Sequence, residues 1–184
     1  QVWPVRTDGT DFLCGYECRA VLDNHGHQRL DVMVLTDSTD HKRAEQERRY
    51  LANFDTLTNL PNRTLLSERL SRAIVRARRQ GHRIAVLFLD LDRFKDINDS
   101  LGHAAGDRIL RAAAMRLQET VGSAQTVARL GGDEFTVVLE RLDAPEEADK
   151  IAREIITAFE APLLLDDRQE VSISTSIGIS LYPD

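Results

Sequence analysis

The hydrophobic and polar positions change their spacing twice along the chain. Residues 1–37 hold two stretches rich in strand formers, 12–22 and 29–36, with turn signals at 7–10 and 23–27, which predicts an antiparallel meander too short to bury a core by itself. Residues 38–52 are charged and contain neither glycine nor proline, a composition typical of an exposed helix. From residue 53 onward helical and strand-like spacings alternate, which predicts a larger domain that combines helices with a sheet.

The charged segment at 38–52 allows two interpretations. A serine, a threonine and an aspartate at 38–40 are each able to cap a helix at its start. Ala44, Arg48 and Leu51 recur at three- and four-residue steps and therefore share one face of that helix. The helix is either a solvated linker or a short coiled coil that sets the geometry of a dimer.

The larger zone contains an ordered series of elements. The spacing predicts helices over 64–79 and 105–121 and from a capping box at 143–146 to residue 160, and strands over 84–89, 126–130, 135–140 and 171–179. The strand over 84–89 is apolar throughout, as expected where both faces of a sheet are covered. The strand over 171–179 alternates strictly between apolar and small or polar residues. We therefore expect an α/β (α+β) fold with a central sheet flanked by helices.

The composition is that of an ordinary globular protein, with 42% hydrophobic and 29% charged residues among 184. The net charge of −6 argues against a nucleic-acid partner, because such proteins neutralise phosphates with lysine and arginine. Cys14 and Cys18 have neither a second pair nor histidines at metal spacing, and they fit a reducing, cytoplasmic location. No apolar run approaches the roughly 20 residues that span a bilayer, so we expect no membrane segment in this stretch of sequence.

Carboxylates stand where two of the apolar patterns end. Asp90 follows the buried strand, and Asp133 follows Gly131 and Gly132 at the tip of the predicted hairpin. If the hairpin pairs beside the first strand, Asp90 and Asp133 face one another, and two close carboxylates repel unless a proton or a cation lies between them. Oxygen ligands favour Mg²⁺ or a similar hard cation over zinc. Each feature taken alone is more often a helix cap or a turn.

Three motifs together give a specific resemblance. The signature segments of the GGDEF diguanylate cyclase family are similar to two runs here, FLDLDRFKDINDSLGHAAGD and ARLGGDEF, and the family's opening motif resembles DTLTNLPNR at 55–63. The resemblance covers residues 53–184 and implies a mixed sheet like the palm of adenylyl cyclases and polymerases. It also implies an enzyme that condenses two GTP into cyclic di-GMP with release of two pyrophosphates.

The family's site residues carry over position by position. The resemblance implies Asp90, the backbone carbonyl of Leu91 and Asp133 as ligands of two Mg²⁺ or Mn²⁺ ions per site, Phe94 and Lys95 as contacts of the triphosphate, and Asn98 and Asp107 as contacts of the guanine edge. Asp133 is also expected to accept the proton of the attacking 3′-hydroxyl, with Glu134 as a further metal ligand or a charge partner. An amide and a carboxylate together supply the donor and acceptors that guanine requires. For Asp92 we expect a structural role, and for His103 a role in ordering its loop.

The beginning and the end of the sequence add further expectations. Residues 1–39 resemble the last strands of a PAS sensory domain, which pass into the linker helix at 40–52. The family's inhibitory Arg-x-x-Asp product site is replaced by Gly122 and Gln125, so we expect no feedback through that site. Family members continue beyond the position of Asp184 into a helix whose lysine and arginine contact the triphosphate, and a fragment without them is expected to bind GTP weakly or to be inactive.

The predicted mechanism requires two copies of the chain. Each protomer binds one GTP with divalent metal, and each 3′-hydroxyl attacks the α-phosphate held by the other protomer. We therefore expect a homodimer formed through the linker helix and the GGDEF domains. A second hypothesis is a catalytically weak GTP-binding domain that regulates an attached cyclic di-GMP phosphodiesterase. A third hypothesis, a PAS-type interaction module, draws on much less of the sequence.

Overall fold

The computed structural model describes residues 14–22, 25, 28–37, 39–165 and 170–183. This part of the chain contains eight strands and five helices. Their order is β1 (Cys14–Leu22), β2 (Gln28–Asp37), α1 (Thr39–Asn53), α2 (Arg63–Gln80), β3 (Arg83–Leu91), α3 (Phe94–Leu101), α4 (His103–Val121), β4 (Thr126–Gly131), β5 (Glu134–Leu142), α5 (Glu146–Glu160), β6 (Leu163–Leu164), β7 (Glu170–Val171) and β8 (Thr175–Tyr182). The predicted strand start at 12–13 and the predicted cap at Ser38 lie outside the described residues.

Contacts divide the chain into two compact units, Gln1–Tyr50 and Leu51–Asp184. In the first unit β1 and β2 form an antiparallel hairpin whose register begins at Cys14 opposite Asp37. Two strands of the predicted meander thus pair antiparallel, while its turn at 7–10 lies outside the described residues. Most side chains of α1 are exposed, so its stability depends on features such as Asp40 in the first turn, where a carboxylate interacts favourably with the helix dipole.

The second unit is built on a four-stranded sheet in the order β4-β5-β3-β8. β3 lies in the centre and pairs antiparallel with both β5 and β8, and β4 pairs antiparallel with β5. The expectation of an α/β fold with helices around a central sheet is confirmed. The expectation of mixed pairing is corrected, because every neighbouring pair in this sheet is antiparallel and the chain returns through helices or a tight hairpin each time.

The two faces of the sheet bury different helices because side chains alternate along a strand. On one face Leu87 and Val137, both fully buried, pack with Ile109 of α4 and Ile155 of α5. On the other face Val138 packs in a smaller cluster with residues of α2. Each fully buried aliphatic side chain contributes about 1.5–3 kcal/mol. The continuous apolar strand predicted at 84–89 is therefore the central strand, covered from both sides as expected.

The prediction of one strand over 171–179 is wrong. Val171 pairs with Leu163 in a separate two-stranded sheet, and the chain enters the main sheet only at Thr175, opposite Leu91. Residues 172–174 between the two belong to no strand. The alternating pattern indicates an extended conformation over the whole stretch. It does not indicate which strand each part pairs with.

Two helices begin differently from the prediction. α5 starts at Glu146 after Pro145, without a side-chain cap, and the carboxylate that accepts the free N–H groups of Asp143 and Ala144 is that of Glu147. The predicted capping box is therefore wrong: only a glutamate contact to the free N–H groups is present, and it comes from Glu147 instead of Glu146. The segment after Asp92, for which no helix is predicted above, forms the short helix α3. In the described part of the chain, no helix is both long enough and apolar enough to cross a membrane.

Candidate active site

Two carboxylates lie opposite each other where the end of β3 meets the start of β5. The antiparallel register pairs Asp90 with Glu134, so both side chains leave the same face of the sheet. Asp133 lies beside them in the turn that joins β4 to β5. The sequence placed Asp133 directly opposite Asp90. The register gives that position to Glu134 instead, because the turn takes up only Gly132 and Asp133.

The carboxylates at this edge of the sheet repel one another. Partial burial raises the pKa of Asp90 above its usual value, and the negative charges of Asp133, Glu134 and Asp92 raise it further. The ionised form of Asp90 is favoured when a cation is bound nearby. The edge of the sheet therefore favours a positively charged ligand.

The donors present fit a hard divalent cation. Within the described residues, no three side chains of His, Cys, Asp or Glu converge on one point at metal distance. A cation held by Asp90 and Asp133 would therefore need backbone, water or phosphate oxygens as further ligands. Mg²⁺ is usually bound in this way, through one or two carboxylates and substrate phosphates. The all-oxygen donor set fits Mg²⁺ or Mn²⁺ and disfavours zinc.

An arginine holds the turn that carries Asp133. Gly131 and Gly132 have φ values of 141° and 54°, which residues with a side chain rarely adopt. The guanidinium of Arg129 donates to the carbonyl oxygen of Gly132 from Nε at 3.1 Å and from NH2 at 2.7 Å. The position of Asp133 is therefore fixed by a side chain two residues before the glycine pair.

Asp55 in the opening motif completes this arrangement. Its Oδ1 accepts hydrogen bonds from Arg129 NH1 at 2.9 Å and from the backbone N and Oγ1 of Thr58 at 2.8 and 2.6 Å. Burial by itself raises the pKa of Asp55, but the Thr58 hydrogen bonds and the Arg129 charge outweigh it and leave the pKa below its usual value. Sequence reasoning missed the role of Arg129. The available signal was one charged residue in the apolar run before the glycines.

Side-chain hydrogen bonds also connect the end of β3 to the start of β8. Thr175 Oγ1 donates to the backbone oxygen of Asp90 at 2.9 Å. The hydroxyls of Ser174 and Ser176 donate to the two carboxylate oxygens of Asp92, each at 2.6 Å. These two hydrogen bonds lower the pKa of Asp92 despite the opposing effect of burial. Asp92 thus has the structural contacts expected for it.

The residues predicted to contact guanine lie where α3 and α4 pack together. Asn98 is on α3, and its Oδ1 lies so close to Gly106 of α4 that a Cβ built there would be 1.9 Å away. Asp107 follows Gly106 and is exposed. The packing therefore brings Asn98 against Gly106, the residue that precedes Asp107 on α4. Sequence reasoning did not identify Gly106 as the residue that permits this approach.

The two residues predicted to contact phosphate differ in exposure. Phe94 is 8% exposed, and a Cβ at Gly106 would lie 3.2 Å from its ring, so it packs between α3 and α4. Lys95 is exposed and forms no ion pair with the described residues. The Phe94 side chain therefore shapes the segment, while the Lys95 ammonium is available to a phosphate.

A cavity of about 630 Å³ opens beside the carboxylates, which is a usual size for a small-molecule site. Asp90 and Glu134 line it, together with Phe88, Ser176 and Arg63. Phe88 is 52% exposed, and Arg63 is the first residue of α2. The cavity thus presents the Phe88 ring and the Arg63 guanidinium beside the acidic edge of the sheet.

The positions of the family's product site serve the fold here. The side-chain oxygen of Gln125 accepts the backbone N–H of Glu140 at 2.9 Å. Gly122 has a φ of 77° and ends α4. Neither position carries an arginine or a carboxylate, in keeping with the sequence.

Comparisons with known proteins agree with this geometry. The family model for the diguanylate cyclase GGDEF domain matches residues 52–184. The chain is 50% identical over 133 residues to the diguanylate cyclase TpbB of Pseudomonas aeruginosa, an alignment that covers 72% of this chain and 31% of TpbB. It is 44% identical over 164 residues to the bifunctional diguanylate cyclase/cyclic di-GMP phosphodiesterase MucR of the same species, covering 89% of this chain and 23% of MucR. The chain thus spans about a third or less of these relatives.

Solved structures give the same result. The GGDEF domain of TpbB superposes with a TM-score of 0.68 at 51% identity, covering 71% of this chain and 76% of that one. The coiled coil and GGDEF domain of DgcB from Caulobacter crescentus, solved in complex with c-di-GMP, superposes with a TM-score of 0.67 at 30% identity and covers 77% of this chain and 76% of that one. The chain therefore belongs to the GGDEF-domain family of diguanylate cyclases.

Proposed function

We propose that this domain binds GTP with divalent metal and condenses two GTP molecules into cyclic di-GMP. The observation that carries the proposal is the cluster of carboxylate side chains at the end of β3. Asp90 lies opposite Glu134, and Asp133 is close enough to raise the pKa of Asp90. Carboxylates placed together in this way are costly to a fold unless they hold a cation. Family membership supports a role for that cation in nucleotide chemistry.

The carboxylates and one backbone oxygen are the proposed metal ligands. Asp90, Asp133 and the carbonyl of Leu91 would hold two Mg²⁺ or Mn²⁺ ions, and Glu134 would act as a further ligand or as a charge partner. Bound divalent ions neutralise phosphate charge and align an in-line displacement at phosphorus. The carboxylate of Asp133 accepts the proton of the 3′-hydroxyl as that oxygen attacks the α-phosphate. Catalysis of this kind is mostly positioning and charge stabilisation.

The α3–α4 pair is the proposed nucleotide-binding segment. Asn98 and Asp107 offer a side-chain amide and a carboxylate, and a guanine edge presents the complementary acceptor and donors. Lys95 supplies a compact positive charge for the triphosphate, while Phe94 keeps the segment in place through its packing. These roles require that α3 stay docked on α4.

We propose that the reaction takes place in a homodimer. One protomer presents one GTP, and cyclisation needs a second GTP in the opposite orientation, so each site supplies half of the reaction. The exposed helix α1 is the proposed linker that controls the pairing of the two domains. We also propose that residues 1–39 are the end of a PAS-like sensory domain. We further propose that the protein works in the cytoplasm, which the low cysteine content, Cys14 and Cys18 alone, fits.

A second function is favoured by particular relatives. The chain is similar to MucR, which is named a bifunctional cyclase and phosphodiesterase, and to NbdA and PdeR, which are named cyclic di-GMP phosphodiesterases. In this alternative the domain binds GTP with little turnover and regulates a phosphodiesterase attached to it. Metal-dependent GTP binding without product distinguishes the alternative from the first proposal.

The proposal is tested with the full-length parent protein. The protein is incubated with GTP and Mg²⁺, and cyclic di-GMP is measured by mass spectrometry beside the Asp90→Asn variant. Product from the parent and none from the variant is the expected result. GTP binding that is lost in the variant, with no product from the parent, supports the regulatory alternative. If neither binding nor product is found, both proposals fail.

A further inference from the structure

The direction of the Leu91 carbonyl is set by the contacts of the next residue. The backbone N–H of Asp92 donates to the carbonyl of Ser174, at 3.0 Å, on the β8 side of β3. Among the described residues the one cis peptide bond is Tyr182–Pro183, so the bond between Leu91 and Asp92 is trans. In a planar trans peptide the C=O points away from the N–H. The Leu91 carbonyl therefore points away from β8, toward the β5 side of the strand, where Asp133 and Glu134 lie.

The neighbouring carbonyl supports this direction independently. The backbone oxygen of Asp90 accepts the hydroxyl of Thr175, which lies on β8, at 2.9 Å. Successive carbonyls of a strand point to opposite sides. Since the Asp90 carbonyl points to β8, the Leu91 carbonyl points to β5. Two separate contacts thus give one orientation for the peptide groups at the end of β3.

The Asp92 carboxylate strengthens the junction that holds this orientation. Its Oδ2 accepts the hydroxyl of Ser174 and its Oδ1 accepts that of Ser176, both at 2.6 Å. Both oxygens are thereby bonded to serines at or directly before the start of β8. Hydrogen bonds to an ionised acceptor are about twice as strong as those between neutral groups. The carboxylate and its two serines form a clamp between the strands, which we call the Asp92 clamp.

We propose that the Asp92 clamp is a positioning device for metal binding: Asp92, held by Ser174 and Ser176, fixes the Leu91 carbonyl toward the Asp133–Glu134 turn, where it joins the Asp90 carboxylate in holding a divalent cation. This inference rests on the proposed function, because it assigns a role toward the same metal. Asp92 itself does not bind the ion. Partners that orient direct ligands commonly change metal affinity by about 10–100-fold when they are removed.

The test measures metal binding without turnover. Mn²⁺ is titrated into the protein in the presence of 3′-deoxy-GTP, which lacks the attacking hydroxyl, and free Mn²⁺ is followed by its electron paramagnetic resonance signal. The double variant Ser174→Ala/Ser176→Ala should weaken Mn²⁺ binding about tenfold. Nucleotide binding without metal should stay unchanged, because Asn98 and Asp107 are untouched. Ser180→Ala is the matched control, since Ser180 is an exposed serine of the same strand outside the clamp.

Variants of Asp92 separate positioning from direct ligation. In Asp92→Asn the amide oxygen accepts one serine hydroxyl and the amide N–H donates to the other, so the clamp persists without its charge. Asp92→Asn should therefore bind Mn²⁺ nearly as the wild type does, while Asp92→Ala should resemble the double serine variant. If Asp92→Asn is as weak as Asp92→Ala and the serine variants bind normally, Asp92 is itself a ligand and the inference is wrong.

Two further outcomes also decide the question. If the serine variants melt at a lower temperature but bind Mn²⁺ normally, the clamp is only structural and the inference fails while the proposed function stands. If the wild type with 3′-deoxy-GTP binds no Mn²⁺, the metal site in the proposed function fails, and this inference fails with it.

Discussion

Arg129 binds Asp55 through a 2.9 Å hydrogen bond between NH1 and Oδ1, while the rest of its guanidinium holds the carbonyl of Gly132. The side chain of Arg129 is 10% exposed and that of Asp55 is 23% exposed. The pair therefore lies in a region of reduced dielectric, where a charged hydrogen bond is less screened than at the surface. It connects the opening motif of the domain to the turn that carries Asp133.

Arg129→Lys should mainly lower the turnover number and should have a smaller effect on the stability of the fold. Lysine keeps the positive charge beside Asp55, but it cannot hold the Gly132 carbonyl and Asp55 at once with the planar fork of arginine. A displacement of the turn by about 1 Å is enough to reduce turnover by about 100-fold. We expect kcat to fall by about 10–100-fold with KM for GTP nearly unchanged, measured by steady-state kinetics of the parent protein.

The control for this variant is Arg153→Lys. Arg153 pairs with Asp149 on the exposed face of α5, where an ion pair contributes little, so its kinetics should match the wild type. Equal kcat values for Arg129→Lys and Arg153→Lys would show that the hold on Gly132 has no catalytic consequence.

Asp55 should make stability depend on pH in the acid range. Its pKa is lowered in the folded state from the ordinary value of 3.8, so the folded protein binds fewer protons than the unfolded chain in that range. The stabilisation is complete above pH 3.8 and is lost as the pH falls through the lower folded value. Asp55→Asn leaves the Arg129 charge partly buried without its partner, and we expect it to reduce the free energy of unfolding by about 2–3 kcal/mol at pH 7.

Urea denaturation of wild type and Asp55→Asn at several pH values checks this prediction. The difference between the two proteins should be largest at pH 7 and should shrink below pH 3.8, because protonated aspartic acid resembles asparagine in charge. A difference that stays constant across this range would mean that the ionised Asp55–Arg129 pair is not its source.

The sequence predicts local patterns well and long-range pairing poorly. The central strand and the hairpin at 126–140 follow from apolar spacing and a glycine pair, which are local features. The Asp55–Arg129 pair joins residues 74 positions apart, and the Asp92–Ser174 hydrogen bond joins residues 82 positions apart. Nothing in the spacing of single residues specifies such partners, since they depend on how the strands are ordered and registered.

The position of Asp133 is a second case in which the sequence does not predict the pairing of residues, here within the candidate site. The motif identifies the acidic residues, but a two-residue turn decides that Glu134 and not Asp133 stands opposite Asp90. The functional roles of these residues stay predictions, while their relative geometry depends on the turn length. Gly106 was missed for a related reason, because its importance comes from Asn98 on another helix.

Asp90→Asn should stabilise the metal-free protein while removing a ligand of the proposed metal site. The pKa of Asp90 is raised by partial burial and by Asp133, Glu134 and Asp92, so the ionised form is less favourable in the folded than in the unfolded state. This cost is present at neutral pH and is relieved as the pH falls through the folded pKa and the carboxyl is protonated. We expect the variant to melt about 1–2 °C above wild type at pH 7 without metal.

The order of the two melting temperatures should reverse when metal and nucleotide are added, so that wild type melts above Asp90→Asn. Mg²⁺ with 3′-deoxy-GTP stabilises a protein that binds them in the folded state, so wild type should gain stability and Asp90→Asn should not. Both are measured by differential scanning fluorimetry. A variant that melts below wild type without metal would contradict the repulsion inferred here.

Gly106→Ala should weaken GTP binding by displacing Asn98. Alanine is favoured over glycine by about 1 kcal/mol in a helix interior, so the substitution should not harm α4 by itself. Its Cβ, however, would lie 1.9 Å from Asn98 Oδ1 and 3.2 Å from the Phe94 ring, and α3 or the Asn98 side chain must move. We expect KM for GTP to rise by about tenfold, because the loss of one hydrogen bond to a base edge costs about 1–1.5 kcal/mol.

A double-mutant cycle with Asn98→Ala gives the decisive measurement. Once Asn98 has been truncated, the added methyl group meets less of an obstacle, so Gly106→Ala should raise KM much less in that background. Met115→Ala, at an exposed position of the same helix, is the control for a general effect on α4 and should leave KM unchanged. Contacting residues show such coupling, whereas independent residues add within about 0.3–0.5 kcal/mol. Strict additivity of the two changes would mean that Gly106 acts on GTP binding by a route other than Asn98.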